Sequence, residues 1–126
     1  MKVAILGAGN IAKSMAAAVR GLQKRGEDVE PYAVGARELA RAEAFAKAEG
    51  FEKAYGSYEE LVSDPDVDLV YVATPHAMHY AHTKLALEHG KNVLCEKAFT
   101  MNAEQAGEVI RLAEEKGLLL TEAIWP

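Results

Sequence analysis

The sequence predicts an α/β fold, a doubly wound parallel sheet of about six strands between two layers of helices in a three-layer αβα arrangement. Three observations predict it. Short β-branched runs alternate with longer stretches of helical period, the strand runs lack polar alternation, and a glycine-rich turn joins the first run to the first helical stretch. With 126 residues, half of them hydrophobic, the chain can bury a sizeable core in one domain and is too short for two.

The elements follow in order. Lys2 to Leu6 reads as the first strand, and its apolar run is too short for the core of a signal peptide. Ile11, Met15, Ala18, Val19 and Leu22 then recur at helical spacing, which predicts one apolar stripe on a helix stopped by Gly26. Val29 to Val34 is the expected second strand. A helix over Arg37 to Glu49 should turn Leu39, Ala42, Phe45 and Ala46 inward, with Gly50 closing it.

Lys53 to Tyr55 reads as a short third strand, after which Ser57 and Glu60 have the spacing of a capping box on a short helix ended by Asp64-Pro65-Asp66. Leu69 to Ala73 is the fourth strand, followed by a helix from about His76 to His89 closed by Gly90. Asn92 to Cys95 is the fifth. Asn102 caps a last helix running through Ala106, Val109, Ile110 and Ala113 to Gly117, and Leu118 to Thr121 is the sixth strand. Right-handed crossovers reduce these elements to a doubly wound sheet with a ligand crevice at the carboxyl ends of its strands.

The first strand leads straight into Gly7-Ala8-Gly9-Asn10-Ile11-Ala12, a G-x-G-x-x-A that opens the first helix. Gly7 permits the tight turn, Gly9 lets backbone approach a pyrophosphate, and Ala12 keeps helix and sheet close. The phosphates would meet free amides at the positive end of the helix dipole. A plain turn or a methyltransferase loop can look similar, but the strand before and the helix after predict a dinucleotide-binding Rossmann fold, with Gly7, Ala8, Gly9, Asn10 and Ile11 at the cofactor.

The end of the second strand separates the two nicotinamide dinucleotides. NAD-binding versions carry an acid there for the adenosine ribose, whereas NADP needs a cation for its 2'-phosphate. Here the strand runs out into Val34-Gly35-Ala36-Arg37, and the acids Asp28 and Glu30 lie at its other end. Arg37 therefore predicts NADP. NAD is the alternative, with Glu38 or a backbone amide reading the ribose.

Composition excludes other partners. A net charge of -5 without a block of Lys or Arg argues against nucleic acid. No apolar stretch approaches the roughly 20 residues that span a bilayer. The lone cysteine, Cys95, sits in an apolar run and reads as a buried small hydrophobe, which fits a reducing cytoplasm.

The fourth strand ends in Thr74-Pro75-His76-Ala77-Met78-His79 and the fifth in Cys95-Glu96-Lys97-Ala98, so both deliver polar groups to the crevice. With the GAGNIA loop, the segments TPHAMH and GKNVLCEKA resemble the glucose-fructose oxidoreductase and inositol dehydrogenase family, whose pattern is TPNxxH followed by EKP. The resemblance covers the whole chain. AYGSYEELVSDPDV, VLCEKA and LLLTEAIW are most similar to its dihydrodiol dehydrogenase and NADP-dependent xylose dehydrogenase branch.

That resemblance implies an oxidoreductase moving a hydride between NADP, or NAD, and a CH-OH group of a sugar, polyol or diol. Lys97 would be catalytic, beside the nicotinamide ribose and the reacting oxygen. Glu96 would hold ribose hydroxyls, and Thr74, Pro75, His76 and His79 would lie at the cofactor. His76 stands where the family often has Asn, and Ala98 replaces the motif proline, leaving the backbone of Lys97 less restricted. His76, His79 and His82 are spaced by three, but without a nearby Cys or carboxylate they are not read as a metal site. His82 and His89 are expected on the helix surface, and Tyr71 and Tyr80 in packing.

The resemblance also implies that residues 1-122 form the dinucleotide domain and that 123-126 begin a crossover to a C-terminal substrate domain outside this chain. That second domain would supply the Tyr or His that pairs with the lysine and the sheet through which full-length enzymes form homo-oligomers. This chain alone is then expected to be inactive, with Trp125 exposed. A non-catalytic dinucleotide sensor is the competing reading. It would need the glycine loop but would have no use for Glu96-Lys97.

Overall fold

The computed structural model describes residues 1-74, 76-96 and 102-123, with backbone alone at His76, Glu96, Glu122 and Ala123. The strands β1 (Lys2–Leu6), β2 (Glu30–Gly35), β3 (Lys53–Tyr55), β4 (Leu69–Val72), β5 (Asn92–Glu96) and β6 (Leu120–Ala123) form one sheet in the order β3-β2-β1-β4-β5-β6. Every pairing is parallel. The order reverses between β1 and β4, which opens a crevice beyond their carboxyl ends.

Successive side chains on a strand face opposite ways, and two cores result. Ile5, Val34 and Tyr71 pack with helices α1 (Asn10–Lys24) and α2 (Leu39–Glu49). Ala4, Leu6, Val70, Val72, Val93 and Cys95 pack with α3 (Tyr58–Val62), α4 (His79–Glu88) and α5 (Ala103–Lys116). Cys95 is buried as expected, and Tyr71 is a core residue.

The helix faces differ from the expected stripes. On α1 the buried line is Ala12, Ala16 and Val19, whereas Ile11 and Leu22 are 42% and 38% exposed. Alanines let the helix lie close to the sheet, so the inward face is set by small residues instead of the largest ones. Leu39 and Ile110 are each 50% exposed, leaving Ala42, Phe45 and Ala46 to bury α2 and Val109 and Ala113 to bury α5. α2 begins at Leu39, not Arg37, because Glu38 has extended backbone angles.

Other boundaries move by one or two residues. β2 runs on to Gly35, which pairs with both Leu6 and Tyr55, and β6 starts at Leu120 and continues to pair Ala123 with Glu96. A 3-10 turn over His76–Met78 precedes α4. Gly50 and Gly117 close α2 and α5 in the left-handed conformation as expected. Ser57 accepts from the Glu60 amide at 3.1 Å, one of the two bonds of a capping box, whereas Asn102 and Gln105 complete both.

A polar cluster ties the amino-terminal end of the sheet together. The β1–β2 register slips beside Pro31, which has no amide hydrogen, and skips Tyr32. The Tyr32 hydroxyl donates to Asp64 at 2.8 Å, and Tyr55 donates to the same oxygen at 2.6 Å. Lys91 closes the cluster by donating to the Asp64 and Val67 carbonyls at 2.7 and 2.9 Å.

Candidate functional site

The crevice is a cavity of about 740 Å³ whose floor is the glycine loop. Gly7, Ala8, Gly9, Asn10 and Ile11 all line it, which explains the exposure of Ile11. Gly7 has φ +111°, and its amide donates to the Gly35 carbonyl at 2.8 Å, fixing the turn between β1 and β2. Gly9 caps α1 in an extended conformation without a side chain to satisfy the first turn, and no acid lies in that turn. The first intrahelical bond is from the Lys13 amide to the Gly9 carbonyl. Among the described residues, the amides of Asn10, Ile11 and Ala12 take no partner.

This is a donor set without an acceptor, at the positive end of a helix dipole. A β-carbon on Gly9 would meet nothing within 4 Å. The open face and free amides fit the pyrophosphate of a dinucleotide.

At the end of β2 the wall is made by Ala36, Arg37, Glu38 and Arg41. Arg37 stands where the sequence placed it. Arg41, in the first turn of α2, joins it there and was missed. Asp28 is remote, as expected, taking the terminal amine of Met1 at 2.9 Å at the opposite end of the sheet.

The end of β4 is held by histidines. Thr74 lines the crevice but is only 4% exposed. His79 Nε2 donates to its carbonyl at 2.8 Å, and His82 Nδ1 hydrogen-bonds its hydroxyl at 2.7 Å. His79 is buried behind the strand end instead of lining the crevice. The expectation for His82 is corrected outright, because it is 6% exposed, lines the crevice and meets the Tyr58 ring edge-on at 4.4 Å. Burial, then His79 and Arg37, lowers its pKa below the ordinary histidine value. His89 is exposed, as expected.

A second cavity of about 730 Å³ runs between α3 and α4 and shares Arg37, Tyr58, Met78 and His82 with the first. Tyr80 lies outside the crevice, bonded through its hydroxyl to Glu108. Pro75 and Lys97 lie outside the described residues, as do Ala98 and Trp125. Glu96 ends β5, and the backbone of His76 starts the 3-10 turn.

The sheet order, the glycine loop and the crevice are those of a nucleotide-binding α/β domain. The model of the Gfo/Idh/MocA oxidoreductase family, NAD-binding Rossmann fold, matches residues 1-124. The chain belongs to this family. The trans-1,2-dihydrobenzene-1,2-diol dehydrogenase of Oryctolagus cuniculus is 46% identical over 121 residues, covering 96% of this chain and 36% of that protein. The D-xylose 1-dehydrogenase (NADP(+)) of Hypocrea jecorina is 63% identical over 71 residues, 56% of this chain and 18% of that one. A solved NAD binding oxidoreductase from Klebsiella pneumoniae superposes with a TM-score of 0.90 at 33% identity, covering 98% of this chain and 34% of its own. The chain thus spans about a third of the diol dehydrogenase, and its matched segment covers 18% of the xylose enzyme. Among the described residues no helix is long and apolar enough to cross a membrane.

Proposed function

We propose that this chain is the cofactor-binding part of an oxidoreductase that moves a hydride between NADP and a CH-OH group of a sugar, polyol or diol. The observation that carries the reading is the crevice itself, with uncapped helix amides on its floor and Arg37 and Arg41 on the wall at the end of β2. The amides suit a pyrophosphate, and two guanidinium groups suit the 2'-phosphate that distinguishes NADP. The diol and xylose dehydrogenases above supply the substrate class.

The bound nicotinamide would supply the hydride chemistry, and the chain's residues bind it and manage a proton. Gly7 to Ile11 hold the phosphates, Thr74 lines the crevice with His79 supporting it from behind, and by family resemblance Pro75 and His76 lie at the cofactor. By family resemblance, Glu96 holds the ribose and Lys97 holds the proton of the reacting oxygen. Residues 1-122 form this domain and 123-126 lead towards a substrate domain, the source of the second proton-transfer group and of a homo-oligomer contact. This chain alone has no turnover on the same reading. The buried thiol of Cys95 suits the cytoplasm.

Glu38 lines the same wall and favours a second reading, in which its carboxylate accepts from the ribose of NAD. Calorimetric titration with NADP, NAD and S-adenosylmethionine separates the cases. NADP should bind most tightly and S-adenosylmethionine not at all. Tighter NAD binding would replace the first reading with the second.

A further inference from the structure

Gly7 rests against the end of β4. A β-carbon there would lie 2.8 Å from the Ala73 carbonyl oxygen and 3.4 Å from the Thr74 amide nitrogen. The peptide joining Ala73 to Thr74 is therefore the surface under the first turn of the glycine loop. Two imidazoles grip Thr74, His79 through the carbonyl and His82 through the hydroxyl. They are three residues apart and so project from one side of α4. His82 is braced in turn by Tyr58.

We propose that His82 is a positioning residue for the dinucleotide, which fixes the Thr74 hydroxyl and thereby holds the β4 end against Gly7 in the shape that receives the pyrophosphate. The inference rests on the reading of the crevice as a dinucleotide site. Its physical basis is preorganisation, because a wall already ordered before binding takes no ordering cost out of the affinity. A hydrogen bond is the right device. Thr74 and His82 are both largely buried, and a leucine beside Tyr58 would take away the partner of the Thr74 hydroxyl.

The test is a fluorescence titration of the protein with NADPH, with thermal melting alongside. His82→Leu should weaken binding about tenfold. His82→Asn, whose amide reaches the place of Nδ1, should restore it to within about threefold. In a Thr74→Val background, His82→Leu should cause no further loss. If His82→Leu does not fold, His82→Gln takes its place, since its amide reaches the Nε2 position and should bind as weakly. Unaltered affinity in His82→Leu, no rescue by asparagine, or a loss additive with Thr74→Val would overturn the proposal. Failure of the unmodified protein to take NADPH would remove the dinucleotide reading and this inference together.

Discussion

Gly7 lies so close to Ala73 that a β-carbon on it would stand 2.8 Å from the carbonyl oxygen, a separation that backbone must move to relieve. Its φ of +111° adds strain for any other residue. Gly7→Ala should therefore cost about 2 to 4 kcal/mol of stability. Gly9 has φ -94° and open space before it, so Gly9→Ala should melt like the unmodified protein while losing about tenfold or more in NADPH affinity. Paired melting curves and titrations check the contrast. Equal effects on stability would contradict it.

The two arginines predict a selectivity that can be dissected. Arg37→Ala should remove a charge-assisted contact worth about 1.5 to 3 kcal/mol from NADP binding and leave NAD binding nearly unchanged. Arg41→Ala should do the same to a similar degree. Calorimetry with both cofactors reads the outcome, and parallel losses for NADP and NAD would show that the arginines do not face the 2'-phosphate.

In the complete enzyme, Lys97→Met should leave NADP affinity nearly unchanged and lower kcat by about a hundredfold or more, the scale for losing a proton-transfer group. Steady-state kinetics with binding measured separately tests this. Normal turnover would assign the lysine a structural role.

The cluster around Asp64 predicts acid sensitivity far from the crevice. Burial alone would raise its carboxyl, but hydrogen bonds from Tyr55, the Asp66 amide and Tyr32, with Lys53 nearby, set it below the usual aspartate value. A carboxylate lowered on folding contributes stability that is complete above its unfolded pKa and is lost as pH falls through the folded one. Asp64→Ala should leave two tyrosine hydroxyls without their acceptor, cost about 2 to 3 kcal/mol at neutral pH and flatten the acid limb of the stability curve. His82 acts in the same direction higher up the scale. Its lowered pKa means that stability declines as pH drops below the ordinary histidine value towards the folded one. Denaturant melts across the acid range separate the two limbs.

The central strands were legible because a strand buried on both faces must be apolar throughout, as in Lys2 to Leu6, which was placed to the residue. The edge strand Lys53 to Tyr55 was also placed to the residue although none of it is buried. The glycine loop and Arg37 were legible because their chemistry is local. Periodicity failed on α1, where it followed the large side chains while the sheet accepted Ala12 and Ala16. His82 was misread because a polar residue on a helix is ordinarily solvated, and its partner Thr74 is set by the packing of α4 on β4. Arg41 was missed because α2 starts only at Leu39, so no helical spacing ties it to Arg37. Asp64 was not legible either, since its role depends on a register slip at Pro31 that turns Tyr32 towards it.

The placing of β1 between β2 and β4 also sets a sequence of events during synthesis. The Gly7 amide is fastened to Gly35, and the Leu6 carbonyl takes the Ala73 amide at 2.9 Å from the other side. A chain leaving the ribosome can fasten its glycine loop to β2 early but lacks the support on the other side until β4 inserts beside β1. Closing so long a connection is entropically slow, and it comes before any reward in contacts. Competence to hold a ligand therefore arrives late and all at once, and a dinucleotide already in solution would capture the newly closed state and draw folding to completion by mass action.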